Sequence, residues 1–122
     1  MKYVRVYADE NGESHFEDVE VGLTPVDFAP PAPPMNLSAF TPATQFGFVS
    51  APLGWYGDWH PTPRRQIFFS LSGEIECQVS DGEVRRLGPG SVTLLEDTWG
   101  KGHTTRVVGT ADVLLAVVQL ED

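Results

Sequence analysis

Residues 54–73 read GWYGDWHPTPRRQIFFSLSG, and the pattern of this stretch decides the fold. An aromatic run, Trp55, Tyr56 and Trp59, leads to a single histidine, His60; two prolines follow, and then a strand-like apolar run. Residues two apart on a strand share a face. His60, Thr62, Arg64 and Gln66 therefore point the same way if Pro61 and Pro63 leave the chain extended, and Phe68 and Ser70 continue that face.

Working outward, strand signals dominate. Segment 74–80, EIECQVS, alternates Ile75, Cys77 and Val79 with Glu74, Glu76 and Gln78, which predicts one buried and one wet face. On that buried face Cys77 reads as an inert core residue, since a reactive thiol needs an electropositive, partly open setting. Asp81-Gly82 supplies a tight turn before EVRRL, and GPG at 88–90 supplies another before SVTLLED. TTRVVG and DVLLAVVQL close the chain. Upstream, YVRVYA (3–8) and HFEDVEVGL (15–23) flank a turn-rich DENGES and predict a hairpin. Between them and TQFGFVSAP lies TPVDFAPPAPPMNLSAFTP, where proline after proline opposes helix and predicts an extended strap across the barrel surface, with a mobile linker as the rival reading. No stretch sustains a helical period. Many short strands with Gly/Pro punctuation predict an all-β protein, an antiparallel barrel or jelly roll.

Composition bounds the rest. The 122 residues fit one domain, with a hydrophobic content of 41%. A formal charge of −9 argues against nucleic acid, which needs a basic stripe. The longest apolar run, VLLAVV, is far too short for a bilayer, and MKYVRVYADE lacks a signal-peptide core. The single cysteine fits a reducing compartment, so the expected location is the cytoplasm with no membrane partner. Tyr3, Val4, Val6, Phe16, Val19 and Val21 of the hairpin need burial, either by extending a sheet or by docking on a second copy as a homodimer.

The opening stretch resembles the first signature of the cupin superfamily, G-x5-H-x-H-x3,4-E-x6-G. Gly54, His60, Thr62, Gln66 and Gly73 stand at its spacings, with Thr62 in place of a histidine and Gln66 in place of a glutamate. GSVTLLEDTWGKGHTTRV (90–107) resembles the second signature: Gly100 and His103 fit its end. Gly90 lies two residues too far upstream, Thr98 stands at the proline position and Val107 at the asparagine. The chain is similar to small single-domain bacterial cupins of an uncharacterised group. The resemblance implies a cupin barrel (double-stranded β-helix) over 45–122, with the hairpin and proline-rich strap of 1–44 packed on it. It also implies that His60, Gln66 and His103 meet inside.

Two chemistries follow. Two imidazoles and an amide oxygen from His60, His103 and Gln66 would hold a divalent ion such as zinc, iron, nickel or copper, suiting a dioxygenase or isomerase acting on a small oxygenated molecule. An inward Arg64 would instead repel a cation and pair with a carboxylate. A metal-free module would then bind or sense a small, anionic ligand, with Thr62, Arg64, Phe68 and Trp59 lining its site. Three acidic or basic positions complete the reading. Glu96 and Asp97, in the two-residue surplus before Gly100, either supply the carboxylate that Gln66 lacks or cap a solvated loop, with Glu96 the one that would rescue a metal site, and His15 reads as a surface histidine.

Overall fold

The computed structural model describes residues 1–121. Twelve strands and no helix occur among them: β1 (Lys2–Ala8), β2 (Ser14–Glu20), β3 (Thr24–Val26), β4 (Met35–Leu37), β5 (Ala43–Ala51), β6 (Tyr56–His60), β7 (Gln66–Ser72), β8 (Glu74–Val79), β9 (Val84–Leu87), β10 (Val92–Leu95), β11 (His103–Val108) and β12 (Val113–Leu120). No helix long and apolar enough to cross a membrane is present among the described residues.

A six-stranded sheet runs β2-β1-β10-β7-β12-β5, and a four-stranded sheet runs β6-β11-β8-β9. The all-β reading is thus correct, but the sheets are not purely antiparallel. β1 pairs with β10 in parallel, with Val4 opposite Thr93 and Val6 opposite Leu95. The reason is topological: the N-terminal hairpin enters the sheet beside a strand far along the chain, and nothing forces consecutive strands to reverse there. In the proline-rich segment, only the three-residue ladders β3 and β4 pair, apart from both larger sheets.

Period-two patterning places the core as expected. On β8, Ile75, Cys77 and Val79 are buried, and they pack with Val6, Phe16, Leu87, Leu95, Val107, Val113 and Leu115 between the sheets. Burial pushes the Cys77 thiol up to about 12, so it is inert. Val6 and Phe16 bring the hairpin into this one core, each worth about 2 kcal/mol or more of transfer energy.

The tip of the hairpin is locked onto the loop that precedes β11. Ser14 is fully buried; its hydroxyl donates to the Gly102 carbonyl at 2.6 Å and accepts from the Ser80 amide at 2.7 Å. The Lys101 amide donates to the Gly12 carbonyl at 2.8 Å, and the Lys101 ammonium pairs with Glu13 at 2.6 Å. Gly102 has φ +72, and a Cβ there would lie 2.1 Å from the His60 carbonyl oxygen. Only glycine lets these two segments touch.

His15 holds the same tip from the other side. Its Nε2 faces Asp9 at 2.7 Å and its Nδ1 faces Asp81 at 2.8 Å, bridging the β1–β2 turn to the β8–β9 turn. A ring that donates from both nitrogens is an imidazolium. The hydrogen bond to Asp9, and then that to Asp81, raises the His15 pKa. His15 lowers that of Asp9, and Asp81 is lowered by the Glu83 amide and then by His15. His15 is therefore a structural clamp and not a free surface group.

Two outcomes follow. A raised folded pKa means that the clamp's stabilisation is full below about pH 6.5 and is lost as the pH rises through the folded value of His15. Thermal melts of His15→Gln should thus fall furthest below wild type near about pH 5.5 and converge with it as the pH rises through the folded value of His15; a gap independent of pH would refute the clamp. Gly109 also has positive φ (+80) but open space around it. By urea denaturation, Gly109→Ala should cost about 1 kcal/mol and Gly102→Ala more than about 3 kcal/mol. Equal costs would mean that the contact with His60 is not tight.

Candidate functional site

Between the two sheets lies a cavity of about 230 Å³. Ile75, Leu95, Val107 and Leu115 supply apolar lining, Trp55 and Phe68 aromatic rings, and His60, Thr62, Gln66 and His103, with Ser50 and Thr105, the polar groups. No lysine or arginine lines it among the described residues.

The register of β6 and β11 builds the polar end. His103 is paired with His60 and Thr105 with Gly57, with a register shift between them. One strand thus spends three residues against two on its partner, which turns His60 onto the same inward face as Gly57. A Cβ on Gly57 would lie 2.6 Å from the Trp55 ring, so the missing side chain is what admits the indole over the strand. The two imidazole rings stand 4.9 Å apart, tilted by 53°.

Each ring is oriented through its Nδ1. His60 Nδ1 lies 2.6 Å from the Asp58 carbonyl oxygen, and His103 Nδ1 lies 2.5 Å from Asp97 Oδ2. Oxygens of this kind only accept, so both rings donate from Nδ1, and Nε2 is the free nitrogen of each. His103 is 4% exposed and Asp97 0%, and the second Asp97 oxygen, Oδ1, is buried with no protein hydrogen bond. The loop carrying Asp97 is fixed by backbone bonds: Thr62 N donates to the Asp97 carbonyl and Glu96 N donates to that of Val6. Chemically, the pair can accept a proton at His103 Nε2 while Asp97 offsets the imidazolium charge.

The residues singled out in the sequence divide sharply. His60, Thr62, Gln66, Phe68 and His103 reach the cavity. Arg64 does not: the chain bends at 63–64, between β6 and β7, and the guanidinium is exposed. The two prolines that were to keep the segment extended break it instead, since they cannot donate to a ladder. Trp59 is also outside, on the outward side of β6, and Trp55 takes its place. Glu96 faces away and joins Arg5 (2.5 Å) and Arg65 (2.6 Å). Desolvation pushes the Glu96 carboxyl up, but the hydrogen bonds from Arg65 and Arg5 hold it below the usual range.

Of the two acids before Gly100, Asp97 and not Glu96 is the one that turns to the histidines. Its signal was the period of two running from Thr93 through Leu95, which puts Asp97 and not Glu96 on the inward face.

A divalent ion would find two well-oriented nitrogen donors here, each with the outer partner that metal-bound histidines commonly have. A third protein donor is missing. Gln66 donates from Nε2 to Thr62 Oγ1 at 3.4 Å and accepts at Oε1 from Gln119 at 3.2 Å, so its amide is already engaged. Asp97 is spent on Nδ1 of His103. Among the described residues no three His, Cys, Asp or Glu side chains converge on one point. The donor set is short of what zinc sites use.

Comparison with known proteins gives the fold. No family model matches the chain, and no curated protein matches it in sequence. Among solved structures, the cupin domain of Schizosaccharomyces pombe Cnp3 superposes with a TM-score of 0.54 at 17% identity, over 99% of this chain and 88% of that one. NMB1881 from Neisseria meningitidis (TM-score 0.45, 20% identity, 62% and 72% of the two chains) is also similar. So is the conserved SPY1581 protein of unknown function from Streptococcus pyogenes (TM-score 0.46, 26% identity, 65% and 68%). With two facing sheets in jelly-roll order and the Cnp3 domain covered over nearly its whole length, the chain has the cupin fold.

Proposed function

We propose that this protein binds a small molecule between its sheets, which act as the two halves of a barrel strapped by the proline-rich segment. The ligand is anchored by His60 and His103, with Asp97 positioning His103. One observation carries this reading: His103, 4% exposed and backed by a fully buried Asp97, lines the same cavity as His60. Burying a carboxylate–imidazole pair costs more than a hydrophobic filling of the same space would. Its retention at a cavity end is what a binding or proton-transfer site requires. Arg64 plays no part in the site, and the absence of a cationic lining removes the argument for an anionic ligand.

The test is a panel of hydroxylated, carboxylated and neutral fragments at millimolar concentration, read on the Hε1 resonances of His60 and His103. At least one class should shift both, and the shift should vanish in His103→Ala. A panel that leaves both resonances still contradicts the reading.

A metal-dependent enzyme is the second reading, favoured by the two free Nε2 atoms and ranked lower for want of a third donor. Titration with zinc, iron(II), nickel and copper distinguishes the two. Stoichiometric metal should leave both imidazoles unshifted; tight binding abolished by either His60→Ala or His103→Ala would raise the metal reading above the first.

We also propose a homodimer. β5 is an edge strand of the six-stranded sheet, and Phe46 and Phe48 stand 77% and 67% exposed on it. An unpaired edge of nine residues that carries two exposed phenylalanines invites pairing with a second copy. Sedimentation should show a dimer that Phe46→Lys with Phe48→Lys converts to monomer; a wild-type monomer would refute this.

A further inference from the structure

The hydrogen-bonding state of the two histidines specifies the ligand further. We infer that the cavity takes a compact aromatic molecule with two neighbouring hydroxyl groups, a catechol-type diol. This rests on the small-molecule reading above and sharpens it.

The argument begins with donors and acceptors. The Asp58 carbonyl and the Asp97 carboxylate each fix the proton of a neutral ring on Nδ1. Two Nε2 lone pairs are therefore left, on rings whose centroids are 4.9 Å apart and which both line the same cavity. Adjacent acceptors of this kind are satisfied by adjacent donors, and a ligand that leaves the buried His103 nitrogen unmatched loses affinity. A carboxylate brings only acceptors and would find no lysine or arginine in the lining. A single hydroxyl serves one ring and leaves the other unpaired.

The rest of the cavity limits the body of the molecule. Phe68 and Trp55 offer aromatic faces, while Ile75, Leu95, Val107 and Leu115 offer only hydrocarbon. Gln66 is engaged with Thr62 and Gln119, and beyond these and the histidines only Ser50 and Thr105 add polar lining. A sugar or glycerol, which carries hydroxyls around its whole surface, would bury several unpaired. The volume, about 230 Å³, lies below the roughly 300–1,000 Å³ of pockets that take drug-sized ligands. One ring with its two hydroxyls is the scale that fits.

The experiment uses chelator-treated full-length protein and three probes, catechol, phenol and benzoate, followed by calorimetry and by the His60 and His103 resonances. Catechol should bind about tenfold tighter than phenol, the worth of one added net hydrogen bond, and benzoate should bind more weakly than phenol. In His60→Ala, checked for folding by circular dichroism, the advantage of catechol over phenol should disappear while phenol still binds. If this variant does not fold, the wild-type ranking of the three probes decides alone. Catechol binding no tighter than phenol, or benzoate binding tightest, overturns the diol inference and leaves the small-molecule reading standing. Three probes that all leave both imidazoles unperturbed overturn the two together.

Discussion

The contact between Gly102 and the His60 backbone is the constraint on which the site depends. A Cβ at 102 would lie 2.1 Å from the His60 carbonyl oxygen, so the loop before β11 and the end of β6 touch through bare backbone. That approach sets His103 beside His60 and fixes the 4.9 Å spacing of their rings. It is held from behind by Ser14, whose hydroxyl bonds the Gly102 carbonyl, and the His15 clamp in turn holds the hairpin that carries Ser14. The N-terminal hairpin is thus part of the site's foundation, although none of its side chains reaches the cavity.

Energetically, the site opposes its surroundings. The core between the sheets is hydrocarbon, and Asp97 and His103 are buried at its polar end with one carboxylate oxygen lacking a protein partner. An unpaired buried acceptor costs roughly 1–3 kcal/mol. The protein tolerates that because the neighbouring backbone is over-determined: Asp97 is bonded through its carbonyl to Thr62, and Glu96 is bonded through its amide to Val6 and through its carboxylate to Arg5 and Arg65. The arginine-flanked Glu96 secures the loop from outside while Asp97 works inside. Two adjacent acids have opposite tasks because successive side chains leave an extended chain on opposite faces.

Much of this was legible in the sequence. Period-two patterns located β7 to β12, the turn residues located the hairpins, and the glycine and histidine spacings brought His60, Thr62, Gln66 and His103 to one cavity. What failed did so for local reasons. Alternation was extended across Pro61 and Pro63, where the backbone bends and releases Arg64 to solvent. Trp59 was counted inward without the β6 register shift, which no residue type announces. The parallel pairing of β1 with β10 joins segments remote in the chain, and side-chain patterns do not encode strand direction. Asp97 was within reach, had alternation been counted from Leu95 and not from the resemblance.

The central claim is that two bare Nε2 atoms face one cavity, and the tautomers of His60 and His103 test it most directly. Long-range nitrogen–proton spectra of the ligand-free, chelator-treated protein at about pH 9, where ordinary imidazoles are neutral, report which ring nitrogen carries the proton. The account predicts that both rings are protonated at Nδ1 and bare at Nε2. A proton on Nε2 of either ring would contradict it.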